Sequence, residues 1–452
     1  MDLRNKKVVV VGLKRTGVSL SEFLVQRGAA VVATDLSDGR DIGLFLDKIR
    51  RPGVSLELGK HRISTFETAD LVILSPGVPH NIPAVEAARA KYVPVMGELE
   101  LASRFIETPI VAVTGTNGKT TTTELLGSMF RCSGKSVFVG GNIGNPLIEY
   151  VNQKTPVDIV VAELSSFQLD TAWSFRPDVG VVLNITDDHL DRYDDFNAYA
   201  ASKMKLFTNQ TAADTAVLNA ADPVVHPFLN TIRSRILHFD AVCAKEPGAV
   251  IQKGHIDYRL PGLPVQRVSV NGSSLIGSHN VQNIAAAGLA ALAAGCTVEG
   301  IAEAVTRFKG LPHRMEFVKT LNGVHFYNDS KATNVDAVVK ALESFAPSVL
   351  LIMGGRDKGG NFNLLKEAVH RRVKQLIVLG ETKSAISDAL GKETFTIAAA
   401  DMDEAVAKAF ETAAAGDTVL LSPGCASFDM FDGYAHRGDT FKKAVEKLES
   451  KR

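Results

Sequence analysis

Cysteine is scarce in this chain: its 452 residues include four, Cys132, Cys243, Cys296 and Cys425, with no C-x-x-C pair among them. That scatter argues against a disulfide framework and a Cys-ligated zinc site, and it fits a reduced, cytoplasmic setting. Net charge is missing as well, because 50 Lys and Arg balance 50 Asp and Glu. With no global field to attract a polyanion or an acidic bilayer, neither nucleic acid nor membrane is an expected partner. No apolar run approaches the roughly 18 residues that a spanning helix needs. Met1–Lys7 leads into the short run Val8–Val11 rather than a signal segment. Low-complexity tracts and repeat arrays are also lacking. The hydrophobic fraction of 45% and charged fraction of 22% are those of a chain that folds. At about 150 residues per domain, the length suggests about three domains.

What recurs is a short β-branched run, a Gly-rich turn and an amphipathic stretch, as in Lys7–Val11, Gly12 and Val18–Gly28, followed by the next run, Ala30–Asp35. That alternation predicts βαβ units and parallel sheets. It occurs in three blocks. Residues 1–97 end after Leu71–Pro79, and residues 98–310 contain Pro109–Thr123 and the Ala-rich Asn283–Gly295. Residues 311–452 contain the strand-like runs before Gly354, Gly380 and Pro423. The expected class is α/β with three domains: Rossmann-like, central P-loop ATPase-like parallel sheet, and Rossmann-like again.

In the second block, Gly115-Thr116-Asn117-Gly118-Lys119-Thr120 stands between a strand-like run and the helix-like Thr121–Phe130. A turn there aims backbone N–H groups and a helix N-terminus at phosphate, with Lys119 for the β/γ oxygens and the Thr120 hydroxyl for Mg²⁺. Val113 occupies the position of the first Gly in the full motif, which shortens the loop but keeps its Gly-Lys-Thr end. ATP with Mg²⁺ is the expected cofactor pair. Glu163 closes the strand-like Asp158–Glu163, and Asn184–His189 follow the strand-like Val179–Asn184. Strand ends are where open α/β sheets bind ligands. Glu163 is therefore a candidate Mg²⁺ ligand, or else a helix N-cap neighbour, and His189 a site residue or a structural histidine.

In the first block, Gly12-Leu13-Lys14-Arg15-Thr16-Gly17 resembles a dinucleotide loop, with Asp35 in the place of a ribose contact. Lys14 replaces its middle glycine, which disfavours a nicotinamide and leaves another nucleotide diphosphate or a structural turn. In the third block, Tyr327–Asn334, Gly354–Lys358 and Ser422–Ser427 are polar loops after strands, able to line one face for a small anionic substrate.

Thr114–Thr122 and Asn184–Tyr193 resemble the motifs of the Mur ligases, the ATP-dependent amide ligases of peptidoglycan precursor synthesis. Leu74–Pro79, Gly97–Leu101, Gly310–Phe317, Asn328–Asn334, Leu421–Phe431 and Arg437-Gly438 are similar to the D-glutamate-adding branch of that family. The resemblance implies a UDP-sugar-binding domain, an ATP-binding domain and an amino-acid-binding domain in that order. It implies phosphorylation of the carboxylate of UDP-N-acetylmuramoyl-L-alanine and attack by the amine of D-glutamate. A monomer is the expected state. By the same resemblance Lys119, His189, Lys203 and Asn142 are catalytic. Gly115, Thr116, Asn117, Gly118, Thr120, Thr121, Asn280, Asn283, Arg314 and Asp329 serve ATP. Arg15, Thr16, Asp35, Ser75, Gly77, Asn142 and His189 hold the UDP-sugar, and Thr333, Lys331, Lys358, Ser427, Phe428 and Tyr434 hold D-glutamate. Two Mg²⁺ sites are implied, from Thr120, Glu163, His189 and a carbamylated Lys203. The nearest alternative is another Mur or folate ligase with the same chemistry and a different amino acid, against which the loop Asn328–Asn334 speaks; a P-loop phosphotransferase or NTP-driven regulator and an inactive nucleotide-binding scaffold are the others. The intact set Lys119, Glu163, His189 and Lys203 speaks against the scaffold.

Overall fold

The computed structural model describes the chain except residues 40–41, 51, 154, 188–191, 241–246, 358 and 451–452, and the side chains of 449 and 450. Its strands form three sheets, one for each expected block. The first holds β1 (Lys7–Val11), β2 (Ala30–Asp35), β3 (Val54–Leu58), β4 (Leu71–Leu74) and β5 (Val95–Gly97), all parallel in the order β3-β2-β1-β4-β5. The second begins with β6 (Ile110–Thr114), β7 (Val137–Gly141), β8 (Ile159–Glu163), β9 (Val179–Val182) and β10 (Thr215–Asn219). It continues with β11 (Arg235–Phe239), β12 (Gly248–Gln252), β13 (His255–Arg259) and β14 (Gln266–Ser269), in the order β14-β13-β12-β11-β10-β9-β6-β8-β7. Only the β12–β13 and β13–β14 pairs in it are antiparallel. The third holds β15 (Glu316–Leu321), β16 (Val324–Asn328), β17 (Val349–Gly354), β18 (Val373–Leu379), β19 (Phe395–Ala398) and β20 (Thr418–Leu421), in the order β15-β16-β20-β17-β18-β19. All its pairs are parallel except β15–β16.

The central strands are continuous apolar runs because helices cover both faces of a parallel sheet. Val8 to Val11, Val111 to Val113 and Leu350 to Met353 are fully buried. In each sheet the strand order reverses beside a central strand, and the carboxyl ends of strands at such a point are where open α/β sheets bind ligands. The loops after β1, β6, β16, β17 and β20 occupy such ends, and these are the loops singled out in the sequence.

The chain groups into two compact units, Met1–Ser269 with Asn283–Val305, and Val270–Gln282 with Thr306–Arg452. The first two sheets belong to one unit. A tie within it is Glu98, which follows β5, is only 1% exposed, and accepts the Ile148 N–H (2.7 Å) at the start of helix Leu147–Gln153. Among the described residues no helix is long and apolar enough to cross a membrane. Cys132, Cys296 and Cys425 are free thiols, and Cys243 lies outside the described residues.

Burial pushes the Glu98 carboxyl up to about 7, against the opposing N–H groups of Ile148 and Leu147. The folded chain therefore holds a proton there that the unfolded chain, titrating near 4.5, releases earlier. Its contribution is full below the unfolded value and is lost as pH rises through about 7. Glu98→Gln should remove about 1–3 kcal/mol of that pH dependence. Urea unfolding at pH 5 and pH 8 checks this, and an unchanged slope between them would refute it.

Candidate active site

The turn after β6 is shaped by backbone rather than by bulky side chains. Gly118 caps helix Lys119–Cys132 at φ +83°, and a Cβ there would lie 2.4 Å from Asn283 Oδ1, so both conformation and space call for glycine. The Thr122 N–H donates to Gly118 O (3.0 Å), starting the helical ladder and directing the positive end of the helix dipole at the loop. The segment after β9 braces this turn. Thr116 N–H donates to Asn184 O (2.9 Å), Asn117 N–H to Asn184 Oδ1 (2.8 Å), and Thr116 Oγ1 to Thr186 O (3.1 Å). Lys119 Nζ folds back to Gly115 O and Thr116 O, both at 2.9 Å. Thr121 is buried and Thr120 half-buried in the first turn.

Glu163 ends β8 next to this turn, in register with Val113 of β6. It is 2% exposed, and Oε1 accepts from Asn142 Nδ2 (2.9 Å) whereas Oε2 is buried with no hydrogen-bond partner. An orphaned carboxylate oxygen is costly in a protein interior. Its position beside a phosphate loop fits a hard divalent cation such as Mg²⁺, which takes one or two carboxylates and fills the rest of its shell with phosphate oxygens and water. Burial also pushes the nearby Glu124 carboxyl up, and the charge on Glu163 adds to that.

By its local pattern alone Lys203 reads as a surface helix lysine. In the structure it lies on helix Phe196–Met204 and is 2% exposed. Its Nζ donates to Gly115 O (2.8 Å) and sits 4.5 Å from the Tyr199 ring centroid, while the Tyr199 hydroxyl reaches Thr116 Oγ1 (3.2 Å). As an ammonium it is no metal ligand; a carbamate on it would be. Asn142, Glu163, Lys119, Lys203 and Asn283 thus converge on one loop. His189 lies outside the described residues.

At the first sheet, Gly17 packs so closely that a Cβ would meet Gly12 O at 2.2 Å. Asp35 serves this loop directly: Oδ2 accepts the Leu13 N–H (2.8 Å) and Oδ1 the Ser37 N–H (2.9 Å). Ser75 Oγ donates to Gly12 O (2.8 Å). Thr16 is half-buried, Gly77 is exposed with its carbonyl accepting from Arg192 (3.3 Å), and Arg15 is exposed. The residue expected at a ribose is thereby also a brace of the glycine loop.

In the second unit the three polar loops meet on one side chain that the sequence left without a role. Arg437 is 1% exposed, and its Nε donates to Ser330 Oγ (3.0 Å) and Nη2 to Ser330 O (2.8 Å). Its Nη1 reaches Cys425 O (3.1 Å), Ala426 O (3.3 Å) and Gly354 O (3.4 Å). One guanidinium therefore joins the ends of β16, β17 and β20, and burial lowers it to about 10. A fork of five fixed donors suits such a convergence of carbonyls. The signal was an arginine twelve residues beyond Cys425, in helix Tyr434–Ser450.

Asp329 is buried there, accepting from Met315 N–H (3.2 Å) and Ser422 Oγ (3.1 Å). Burial pushes it up to about 7, with those bonds and then the Arg314 and Arg437 charges pulling down. Lys331 Nζ stands 3.7 Å from the Tyr434 ring centroid. Ser427 is buried, Thr333 half-buried and Phe428 exposed. Asn280, in the same unit, donates to Ile276 O (2.7 Å). Lys358 lies outside the described residues.

Three family models match the chain in succession. Residues 6–97 match the Mur ligase MurD-like N-terminal domain, 113–291 the Mur ligase middle domain, and 313–425 the Mur ligase glutamate ligase domain. The chain belongs to the Mur ligase family. This Mur ligase is 49% identical over 448 residues to the UDP-N-acetylmuramoylalanine--D-glutamate ligase of Desulfosudis oleivorans, covering 99% of this chain and 98% of that one. It is 48% identical to the protein of the same name from Desulfatibacillum aliphaticivorans, covering 99% and 100%. A pseudomurein peptide ligase type C from Methanothermus fervidus shares the fold at TM-score 0.63 and 21% identity, covering 98% of this chain and 100% of that one. So does a MurF ligase from Thermotoga maritima solved with ADP, at TM-score 0.62 and 18% identity, covering 98% and 96%. Membership makes the chain an ATP-dependent amide ligase of peptidoglycan synthesis.

Arg437→Met should leave the carbonyls of Ser330, Gly354, Cys425 and Ala426 short of donors and destabilise this Mur ligase by about 3 kcal/mol or more. Arg437→Lys should recover only part, because an ammonium cannot span the three loops. Urea unfolding measures both, and a loss below about 0.5 kcal/mol for the Met variant would mean that the loops hold themselves.

Proposed function

We propose that this Mur ligase joins D-glutamate to UDP-N-acetylmuramoyl-L-alanine in the cytoplasm, consuming ATP through an acyl phosphate. The observation that carries the reaction type is the buried, unpartnered Glu163 oxygen beside a phosphate loop at a helix N-terminus. The choice of amino acid is supported by the relatives at 49% and 48% identity and by the polar third-sheet loops.

A carboxylate is a poor electrophile, so its oxygen must first take a phosphoryl group. Transfer of the ATP γ-phosphoryl group gives an acyl phosphate and ADP. The D-glutamate amine then attacks the carbonyl carbon, the C–O bond to phosphate breaks, and the nitrogen loses a proton to give the amide. Gly115, Thr116, Asn117, Gly118, Thr120 and Thr121 cradle the phosphates, and Lys119 sets a positive charge where negative charge moves. Mg²⁺, held by Thr120 and Glu163, would neutralise phosphate charge, with a second ion served by His189 and a carbamylated Lys203. Asn142 holds Glu163 and lies near the substrate. Asn280, Asn283, Arg314 and Asp329 serve the nucleotide. Residues 1–97 bind the UDP-sugar through Arg15, Thr16, Asp35, Ser75 and Gly77, residues 98–310 bind ATP, and residues 311–452 bind D-glutamate. For that last ligand Lys331, Thr333, Lys358 and Ser427 supply polar groups, and Phe428 and Tyr434 supply rings.

The test supplies ATP, Mg²⁺ and UDP-N-acetylmuramoyl-L-alanine with D-glutamate, L-glutamate, L-lysine or diaminopimelate, reading phosphate release and product mass. A D-glutamate adduct alone is expected. Phosphate release without an amide would favour a phosphotransferase instead. Lys119→Ala should lower kcat by at least about 100-fold with the fold retained, as for loss of a group that stabilises transition-state charge; full turnover would remove the phosphate-loop assignment. Lys203→Ala should lose activity and regain part of it with formate or acetate, whose oxygens replace the carbamate. A fully active Lys203→Ala enzyme contradicts that role.

A further inference from the structure

We propose that Glu149 and Asn145 are positioning residues for Arg15, and that through Arg15 they set the affinity of the first-sheet glycine loop for a nucleotide diphosphate. This rests on the reading of that loop as the UDP-sugar site.

Arg15 opens helix Arg15–Gln26 immediately after the turn at Gly12, where the dipole end and the loop backbone favour an anion. A long side chain at such a place loses rotamer entropy when it clasps a phosphate. Here that ordering is already done. Arg15 Nη2 donates to Asn145 Oδ1 and lies 3.5 Å from Glu149 Oε2, yet the side chain remains 54% exposed. One edge of the guanidinium is used, and its fork has five donors, so an anion can be met by the others.

Both supports are themselves fixed. Asn145 O accepts the Gly141 N–H (2.8 Å), and Glu149 sits in helix Leu147–Gln153, whose start is held by Glu98 (2.7 Å). Asn152 Nδ2 of that helix donates to Ser19 O (3.1 Å), tying it to the helix that Arg15 opens. The loop carrying Asn145 continues from Asn142, whose N–H donates to Glu163 O (2.8 Å). The guanidinium is thus referenced to the same framework as the candidate metal carboxylate.

Glu149 adds negative charge near an anion site, so two opposite effects are separable. If it orients Arg15, removing it weakens diphosphate binding; if it only repels, removing it tightens binding. The experiment measures UDP binding by calorimetry and KM for UDP-N-acetylmuramoyl-L-alanine, in the full chain, for the wild type, Glu149→Ala, Glu149→Gln, Arg15→Ala and Arg15→Ala/Glu149→Ala. Glu149→Ala should raise both Kd and that KM by about two- to fivefold, the range of an exposed ion pair. The change should fall on KM for the UDP substrate and not on kcat or on KM for ATP. Glu149→Gln, which keeps an acceptor, should be milder, and Glu149→Ala should add nothing in the Arg15→Ala background. Unchanged or tighter UDP binding by Glu149→Ala, or equal weakening with and without Arg15, overturns the inference alone. A wild-type protein that does not bind UDP overturns the reading of the loop and the inference with it.

Discussion

Two lysine side chains converge on one backbone carbonyl, the oxygen of Gly115, which accepts from Lys119 Nζ at 2.9 Å and from Lys203 Nζ at 2.8 Å. Two cations held this close, one of them buried, repel each other; negative charge beside them, or loss of the Lys203 charge as a carbamate there would bring, relieves that. The surrounding structure frames the turn. Asn184 clamps the turn from one side, Asn283 covers Gly118, and Tyr199 offers a ring face to Lys203 and a hydroxyl to Thr116. Glu163, at the end of the neighbouring strand, offers the opposite charge with an oxygen to spare. The two lysines and the Glu163 carboxylate stand beside one turn because β6 and β8 are adjacent while consecutive elements cross between them.

The second unit solves a similar problem with a different device. There the three loops are joined by one buried guanidinium that bonds to carbonyls rather than to a carboxylate. Such a charge is expensive to bury, and the lowered value of Arg437 records that cost. In return, the carboxyl ends of three parallel strands share one fixed point, and the side chains on the loops inherit a common frame. Asn328 extends the frame with its Nδ2 on Glu316 (3.0 Å) and its Oδ1 accepting the Ser330 N–H (3.1 Å).

Much of the fold and of the turn that forms the candidate phosphate site was legible in the sequence, because both are written in local terms. Strands buried on both faces must be apolar, and a loop that presents its backbone must be small, so Ile110–Thr114 followed by Gly115 to Thr120 carries its own reading. Glu163 was legible from its place at a strand end. Lys203 was not, because helix Phe196–Met204 buries Ser202 and Lys203 along with Tyr199, and only tertiary packing selects that face. No local pattern gives Arg437 a task, since the carbonyls it holds come from segments far apart in the chain. Asp35 was read as a ligand contact, whereas its oxygens also brace Leu13 and Ser37. The segment Val270–Gln282 joins the unit of the third sheet although the chain returns to the other unit at Asn283, which no local pattern marks.

The cover that Asn283 places over Gly118 links two positions that lie far apart in the chain. Any side chain at 118 would start 2.4 Å from the Asn283 amide oxygen, in a backbone conformation that L-residues avoid. Position 118 therefore cannot drift alone: a larger residue there needs a smaller one at 283, and that exchange would give up a polar group above the loop. Selection on the phosphate turn thus reaches into a helix that begins over 150 residues later, and the short motif understates how much of the chain is committed to it.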